Sequence, residues 1–297
     1  KGNSNSTMLG PTSHIYFSQR LRLHYVDWGN SDAPIMLLVH GGRDHCRNWD
    51  WVAERFRDDY HIIAPDLRGH GDSQWMKGGS YNQIDYVYDI AQLLDQKGMA
   101  PVTIIGHSLG GSISLLYTAL FPENVHKLVA IEGMGPPPAM VEERINQPME
   151  KRIHDWMSDL RKLSGRIVRR YDSLEEAFQR MQAENPHLAE EQARHLTIHG
   201  SNQNEDGTYS WKFDNYVRAF PPIGIPIDDT RKMYGNIKCP TLLVRGLESW
   251  AEDPVADGRT KNFNCPLEVE AFADAGHWVH HDQLEGFVGR VKQFLAS

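Results

Sequence analysis

Cysteine is scarce in this chain of 297 residues: Cys46, Cys239 and Cys265 stand far apart, with no CxxC spacing. Three such thiols match no thiolate metal pattern and cannot all pair within one chain, so the expected setting is reducing and cytoplasmic, with a single disulfide left open. Basic charge is also in deficit. With 31 Lys and Arg against 39 Asp and Glu, the formal charge is −8, the wrong sign for a surface that must neutralise phosphates, so no nucleic-acid partner is expected. No run of 18 or more apolar residues occurs, which leaves no candidate for a membrane-spanning helix, and no membrane partner is expected. The opening KGNSNSTMLG lacks the apolar core of a secretory signal and is left out of the fold reasoning.

What remains is the composition of a folded globular body, 40% hydrophobic and 24% charged, long enough to bury a large core. Oligomeric state leaves no mark in it. Short continuous apolar runs, each ending in a turn, carry the first structural signal: Pro34 to His40, Tyr60 to Pro65, and Val102 to Gly106. Such runs suit strands buried on both faces of a parallel sheet. Helical spacing fills the gaps, at Trp49 to Phe56, Ile84 to Lys97 and Gly111 to Phe121, and further strands are expected at Leu128 to Glu132, Thr241 to Arg245 and Glu268 to Phe272, before a closing helix from Leu284 to Leu295. The alternation predicts an α/β fold with a doubly wound, mainly parallel sheet.

Between Met134 and Tyr234 this rhythm stops. Charged, helix-favouring stretches such as SLEEAFQRMQAENPHLAEEQARHL replace it. The expected organisation is therefore a core made of residues 1–133 and 235–297, with 134–234 inserted as a helical cap. Trp156, Met157, Phe178, Met181, Trp211, Phe213, Tyr216 and Phe220 offer material for the cap's own core, or for a pocket beneath it.

Gly106-His107-Ser108-Leu109-Gly110 reads G-x-S-x-G, placed directly between an apolar strand and a helix of small residues. A serine on a sharp strand-to-helix turn needs glycine at the flanking positions, where a side chain would strike the neighbouring backbone. The helix that follows turns its free N–H groups toward developing negative charge. Ser108 is thus the candidate nucleophile.

With His40-Gly41-Gly42, the DLRGHGDS turn from Asp66 to Ser73, the GHSLGG turn and Gly276-His277-Trp278, the chain resembles the α/β-hydrolase family from about Ile15 onward. Within that family it is most similar to serine-hydrolase-like and carboxylesterase members with a helical lid. The resemblance implies a base after the last strand, where AGHWVHH puts His277, with His280 and His281 as rivals that begin the next helix and His107 packed at the elbow. It also implies an oxyanion hole from two backbone N–H groups, those of Leu109 and Gly42, with Arg43 as a neighbour.

The acid departs from the family pattern. Most relatives carry an aspartate in a G-x-x-D string after the strand that is TLLVRG here, and this chain has Gly246-Leu247-Glu248-Ser249. In other relatives the acid follows the preceding core strand, and LVAI ends here on Glu132. A carboxylate at the end of a buried strand is costly unless it is paired or put to work, so Glu132 is the expected orienting acid, with Glu248 and Asp253 as alternatives. Epoxide hydrolases and dehalogenases of the family attack with an aspartate where Ser108 stands.

His40, Asp44, His45 and Cys46, and separately His280-His281-Asp282, look metal-like, yet neither has ligand spacing of a known kind, and no metal or cofactor is expected for the reaction. His280 and His281 are expected to be the polar start of the last helix, and Asp66 and Arg68 a charged pair that holds their turn. The family implies hydrolysis of a small-molecule ester-like substrate through an acyl-enzyme. A carbon–carbon bond hydrolase, for which Arg161, Arg166, Arg169 and Arg170 could serve a second carboxylate, a lactonase, and a non-hydrolytic receptor or cofactor-free oxygenase stay open as alternatives.

Overall fold

A computed structural model describes residues 9–297; most of the opening segment set aside above lies outside them. The chain first forms an antiparallel pair, β1 (Thr12–Ser18) and β2 (Leu21–Asp27). Then come β3 (Ile35–Val39), α1 (Asp50–Phe56), β4 (His61–Pro65), α2 (Gln83–Gln96), β5 (Val102–His107), α3 (Leu109–Leu120) and β6 (Val125–Ile131). The segment after β6 holds α4 (Pro138–Ile145), α5 (Met149–Ser164), α6 (Leu174–Glu184), α7 (Glu190–Gly200), a small hairpin of β7 (Ser201–Gln203) and β8 (Tyr209–Trp211), and α8 (Ile227–Tyr234). The sheet resumes with β9 (Thr241–Gly246) and β10 (Leu267–Phe272), and the chain closes with α9 (Val279–Asp282) and α10 (Leu284–Ala296).

Eight strands lie in the order β1-β2-β4-β3-β5-β6-β9-β10. The sheet is parallel from β4 through β10 and antiparallel only where β1, β2 and β4 meet. Side chains alternate between faces along a strand, and here both faces are covered. Leu37, Val39, Ile63, Ile104, Leu128, Ala130 and Leu243 pack on the side of α2 and α3; Met36, Leu38, Ile62, Ile105, Val129, Ile131, Leu242 and Val244 pack on the side of α1 and α10. Continuous apolar runs were therefore the right strand signal.

α2 shows how local sequence and packing agree. Asn82 caps it by accepting from the Asp85 N–H, and Tyr86, Val87, Ile90, Leu93 and Leu94 bury one stripe against the sheet. Each such side chain contributes roughly 2 kcal/mol by burial, so Leu93→Ala would cost about 2–5 kcal/mol.

The first two strands had no counterpart in the sequence reading. Their turn is made by Gln19 and Arg20 at φ 46° and 68°, positions usually held by Gly or Asn, so the usual hairpin signal is missing. The segment between β6 and β9 is mostly helical, with β7 and β8 as an unanticipated addition. Phe178, Leu188, Ala193 and Leu196 form a small core between α6 and α7, joined by Met181 and by Trp278 from beyond β10. α8 instead sends Tyr234 and Met233 into the main core. Among the described residues no helix is long and apolar enough to cross a membrane.

Candidate active site

Parallel strands direct their carboxyl ends to one edge of the sheet, and in open α/β sheets that edge holds the site. Here β5, β6 and β9 end side by side. The Ser108 N–H donates to Ile131 O and the Glu132 N–H to Val244 O, both at 2.8 Å, so the residue just past each strand is still locked to its neighbour.

Ser108 has φ 53° and ψ −118°, a strained conformation for a side-chain-bearing residue. The flanking glycines explain how it is tolerated. A Cβ on Gly106 would come within 2.5 Å of Gly110 O, and one on Gly110 would strike the Val39 carbonyl. The hydroxyl stands at the head of α3. Leu109 is the first residue of that helix, so its N–H has no acceptor within the helix.

Gly42 lies beside it, its Cβ direction ending 3.9 Å from Leu109 Cδ2. His40 fixes how this glycine is turned. The Leu67 N–H donates to His40 Nε2 at 3.0 Å, so the ring proton is on Nδ1, which donates to Gly41 O at 2.7 Å. Pinning that carbonyl points the Gly42 N–H, across the same trans peptide plane, the opposite way. Burial, reinforced by His70, lowers the His40 pKa to about 3 and keeps this tautomer neutral.

His277 follows β10 and reaches back over the strand ends. Its Nδ1 lies 2.7 Å from Glu132 Oε1. The Glu132 carboxylate, its side chain fully buried, also accepts from the Gly246 N–H at 3.0 Å and from the Ser249 hydroxyl. An ionised carboxylate can only accept, so His277 donates through Nδ1 and its Nε2 lone pair is left to take a proton. Glu132 itself has φ 51°, a turn that sends its carboxylate sideways under β9 and toward His277. Ser249, at the place where relatives carry their acid, supports the carboxylate instead of replacing it. Nothing in the sequence singled out that role.

The rival groups stand elsewhere. Glu248 approaches His187 at 3.7 Å and Asp253 approaches Arg245 at 3.8 Å; neither meets His277. His280 and His281, expected as a polar helix start, are buried. His280 Nε2 meets Asn48 Oδ1 at 2.7 Å with its ring stacked on Trp49, and His281 lies against Gln192, Trp51 and Trp278. Burial, with neighbouring imidazoles, pushes the His280 pKa far down and that of His281 to about 3, which makes both poor bases. His107 is buried too, and its Nε2 meets His277 O at 2.9 Å, steadying the backbone of the candidate base. Trp250 was missed from sequence; its ring lies 5.1 Å from that of His277 and covers one side of it.

The Asp66–Arg68 pairing expected in the glycine-rich turn does not form. Asp66 binds His24 at 2.7 Å and the N–H groups of Cys46 and Asp72. Burial alone would raise its pKa, and the His24 bond with His40 nearby brings it below the usual carboxylate range. Arg68 pairs with Asp89. Both residues hold the loop under the site, and the His40–Cys46 stretch is likewise tied up in hydrogen bonds, two of them local and one from His45 Nε2 to Leu196 O on α7.

A family model described as the alpha/beta hydrolase fold matches residues 34–284. The chain belongs to the α/β-hydrolase family. The hydrolase is 24% identical over 274 residues to a serine hydrolase-like protein of Danio rerio, covering 90% of this chain and 83% of that one. It is 25% identical over 289 residues to epoxide hydrolase 1 of Caenorhabditis elegans (93% and 68% covered). To esterase Rv0045c of Mycobacterium tuberculosis it is 25% identical over 290 residues (96% and 90% covered). A solved structure of that esterase superposes with a TM-score of 0.75 over 97% of this chain and 92% of that one, at 22% identity, which shows a shared fold.

Proposed function

We propose that this hydrolase cleaves carboxylic esters through an acyl-enzyme on Ser108, with His277 as general base and Glu132 as the acid that orients it. The observation that carries the reading is the buried Glu132 carboxylate 2.7 Å from His277 Nδ1, at the same sheet edge as a serine held on a strained elbow. Ser108 Oγ attacks the acyl carbon and its proton passes to His277 Nε2. The tetrahedral oxyanion takes the N–H groups of Leu109 and Gly42. Collapse expels the alcohol, which leaves with the proton from His277, and water then repeats the sequence to release the acid and restore the serine. The segment 134–234 acts as a cap over the core of 1–133 and 235–297, and limits which esters enter.

Chemistry separates this reading from epoxide opening. A carboxylate nucleophile would form an ester that water can hydrolyse, whereas a serine attacking an epoxide would form an ether that it cannot. Ser108 therefore favours acyl transfer, whatever the names among the relatives. Fluorophosphonate labelling combined with p-nitrophenyl ester turnover tests the proposal. The expected adduct is on Ser108, and Ser108→Ala loses both label and turnover. An adduct elsewhere, or turnover that survives the substitution, overturns it.

A further inference from the structure

His195 and His199 are one helical turn apart on α7, so their imidazoles share a face of the helix. That face is turned toward Asp50, the first residue of α1 in the core. His195 Nε2 lies 2.8 Å from Asp50 Oδ2, and the two imidazole rings are 4.5 Å apart. One ligand atom from each of the three side chains falls within 4.8 Å of the other two. A cleft of about 270 Å³ opens beside them, lined in part by Arg47, Trp51, Glu54, Glu191 and His195, and gives solvent access. Glu54 and Glu191 add negative charge around that entrance.

We propose that Asp50, His195 and His199 form a binding site for a divalent transition-metal ion such as Zn²⁺ or Ni²⁺, which ties α7 of the inserted segment to α1 of the core. Two imidazole nitrogens and one carboxylate suit ions of intermediate softness, whereas Mg²⁺ and Ca²⁺ take oxygen ligands. With metal–ligand bonds of about 2.0–2.2 Å, tetrahedral ligand atoms sit about 3.3 Å apart. Side-chain rotation of His199 or His195 closes the remaining gap, and water completes the tetrahedron.

Arg47 competes with the ion. Its Nε contacts both Asp50 oxygens, at 3.0 and 2.9 Å, and its terminal nitrogen approaches one of them at 2.8 Å. Its side chain is a quarter exposed and can swing into solvent as the metal enters. Removing it leaves the carboxylate free for the incoming cation, so Arg47→Ala should tighten binding.

The test is calorimetric titration of the full, chelator-treated chain with ZnCl₂, with Tm and ester hydrolysis followed in parallel. The expected result is one saturable site, with Kd roughly micromolar, and a Tm raised by roughly a few degrees at saturation. His195→Ala and His199→Ala should each weaken binding by about tenfold or more and abolish the Tm increase, while hydrolysis without metal stays at the native rate and shows the fold intact. Arg47→Ala should lower Kd several-fold, on the order of 3 to 10 times. Absence of saturable binding, binding that survives the combined loss of both histidines, or a Kd unchanged or raised by Arg47→Ala overturns the proposal. None of these outcomes bears on Ser108, so the ester-hydrolase reading is tested separately.

Discussion

Glu132 leaves β6 with its carboxylate fully buried and takes hydrogen bonds from His277, Gly246 and Ser249. Glu248 and Asp253, on the loop leaving the adjacent strand β9, keep side chains 48% and 37% exposed and approach their nearest partners, His187 and Arg245, only at 3.7 and 3.8 Å. The two loops begin one strand apart, yet only one carries a desolvated, fully satisfied carboxylate. What separates them is preorganisation rather than the presence of an acidic residue. A buried carboxylate that is held by fixed donors pays no reorganisation when an imidazolium forms beside it, whereas an exposed one must first be drawn out of water.

The largest effect expected along this comparison is from Glu132→Gln. The amide keeps the shape and removes the charge that holds the His277 tautomer, so kcat for a p-nitrophenyl ester should fall by about 10⁴, as for the equivalent change in a protease triad. A loss under tenfold would break the assignment. Adding Ser249→Asp to Glu132→Gln moves the carboxylate to the β9 loop, where most relatives keep it, and should regain about tenfold or more of the lost kcat. No regain would mean that the β9 loop of this chain cannot present an acid to His277 at all.

A smaller loss belongs to Ser249→Ala, which removes one of three donors to the Glu132 carboxylate. A hydrogen bond to a charged group contributes about 1.5–3 kcal/mol, and part of that returns through water at this partly open loop. We expect kcat to drop about tenfold with KM unchanged, since Ser249 steadies the acid and leaves substrate binding alone. A change confined to KM would place Ser249 against the substrate instead.

Much of this was legible in the residues. The apolar runs of β3, β4, β5, β6 and β9 announced strands because both faces of the sheet are covered, and G-x-S-x-G announced the elbow because the glycines answer a steric demand at Gly110 that any side chain would violate. Glu132 stood out because an acid ending a buried strand is expensive without a partner. What stayed hidden depends on contacts between distant segments. Ser249 reads only as the missing family aspartate until the chain brings it to Glu132, 117 positions away, and shows it as a donor to that carboxylate. His280 and His281 look polar until Trp49, Trp51 and Trp278 enclose them. The β1–β2 hairpin was lost for a local reason, since Gln19 and Arg20 make a left-handed turn with residues that do not advertise one.

The smallest effect sharpens the comparison most, because it concerns the two residues that stood as alternatives to Glu132. Glu248→Gln and Asp253→Asn each remove a carboxylate from the β9 loop without touching the Glu132–His277 pair. The Glu248 backbone is held independently, its N–H donating to Ala275 O at 2.9 Å, so the loop keeps its course when the side chain is neutralised. Asp253 accepts from the Val255 N–H at 2.9 Å, a bond that the Asn side-chain oxygen can still accept. Exposed pairs of this length contribute about 0–1 kcal/mol to stability, so Tm should move by about 2 °C or less, and kcat should stay within about twofold of native because neither group reaches His277. The measurement is kcat for both single variants and for the pair together, set beside Glu132→Gln under the same conditions. If either single variant lost a hundredfold or more while Glu132→Gln remained active, the acid would belong to β9 after all, and the buried carboxylate on β6 would be a structural anchor for the Ser249 loop.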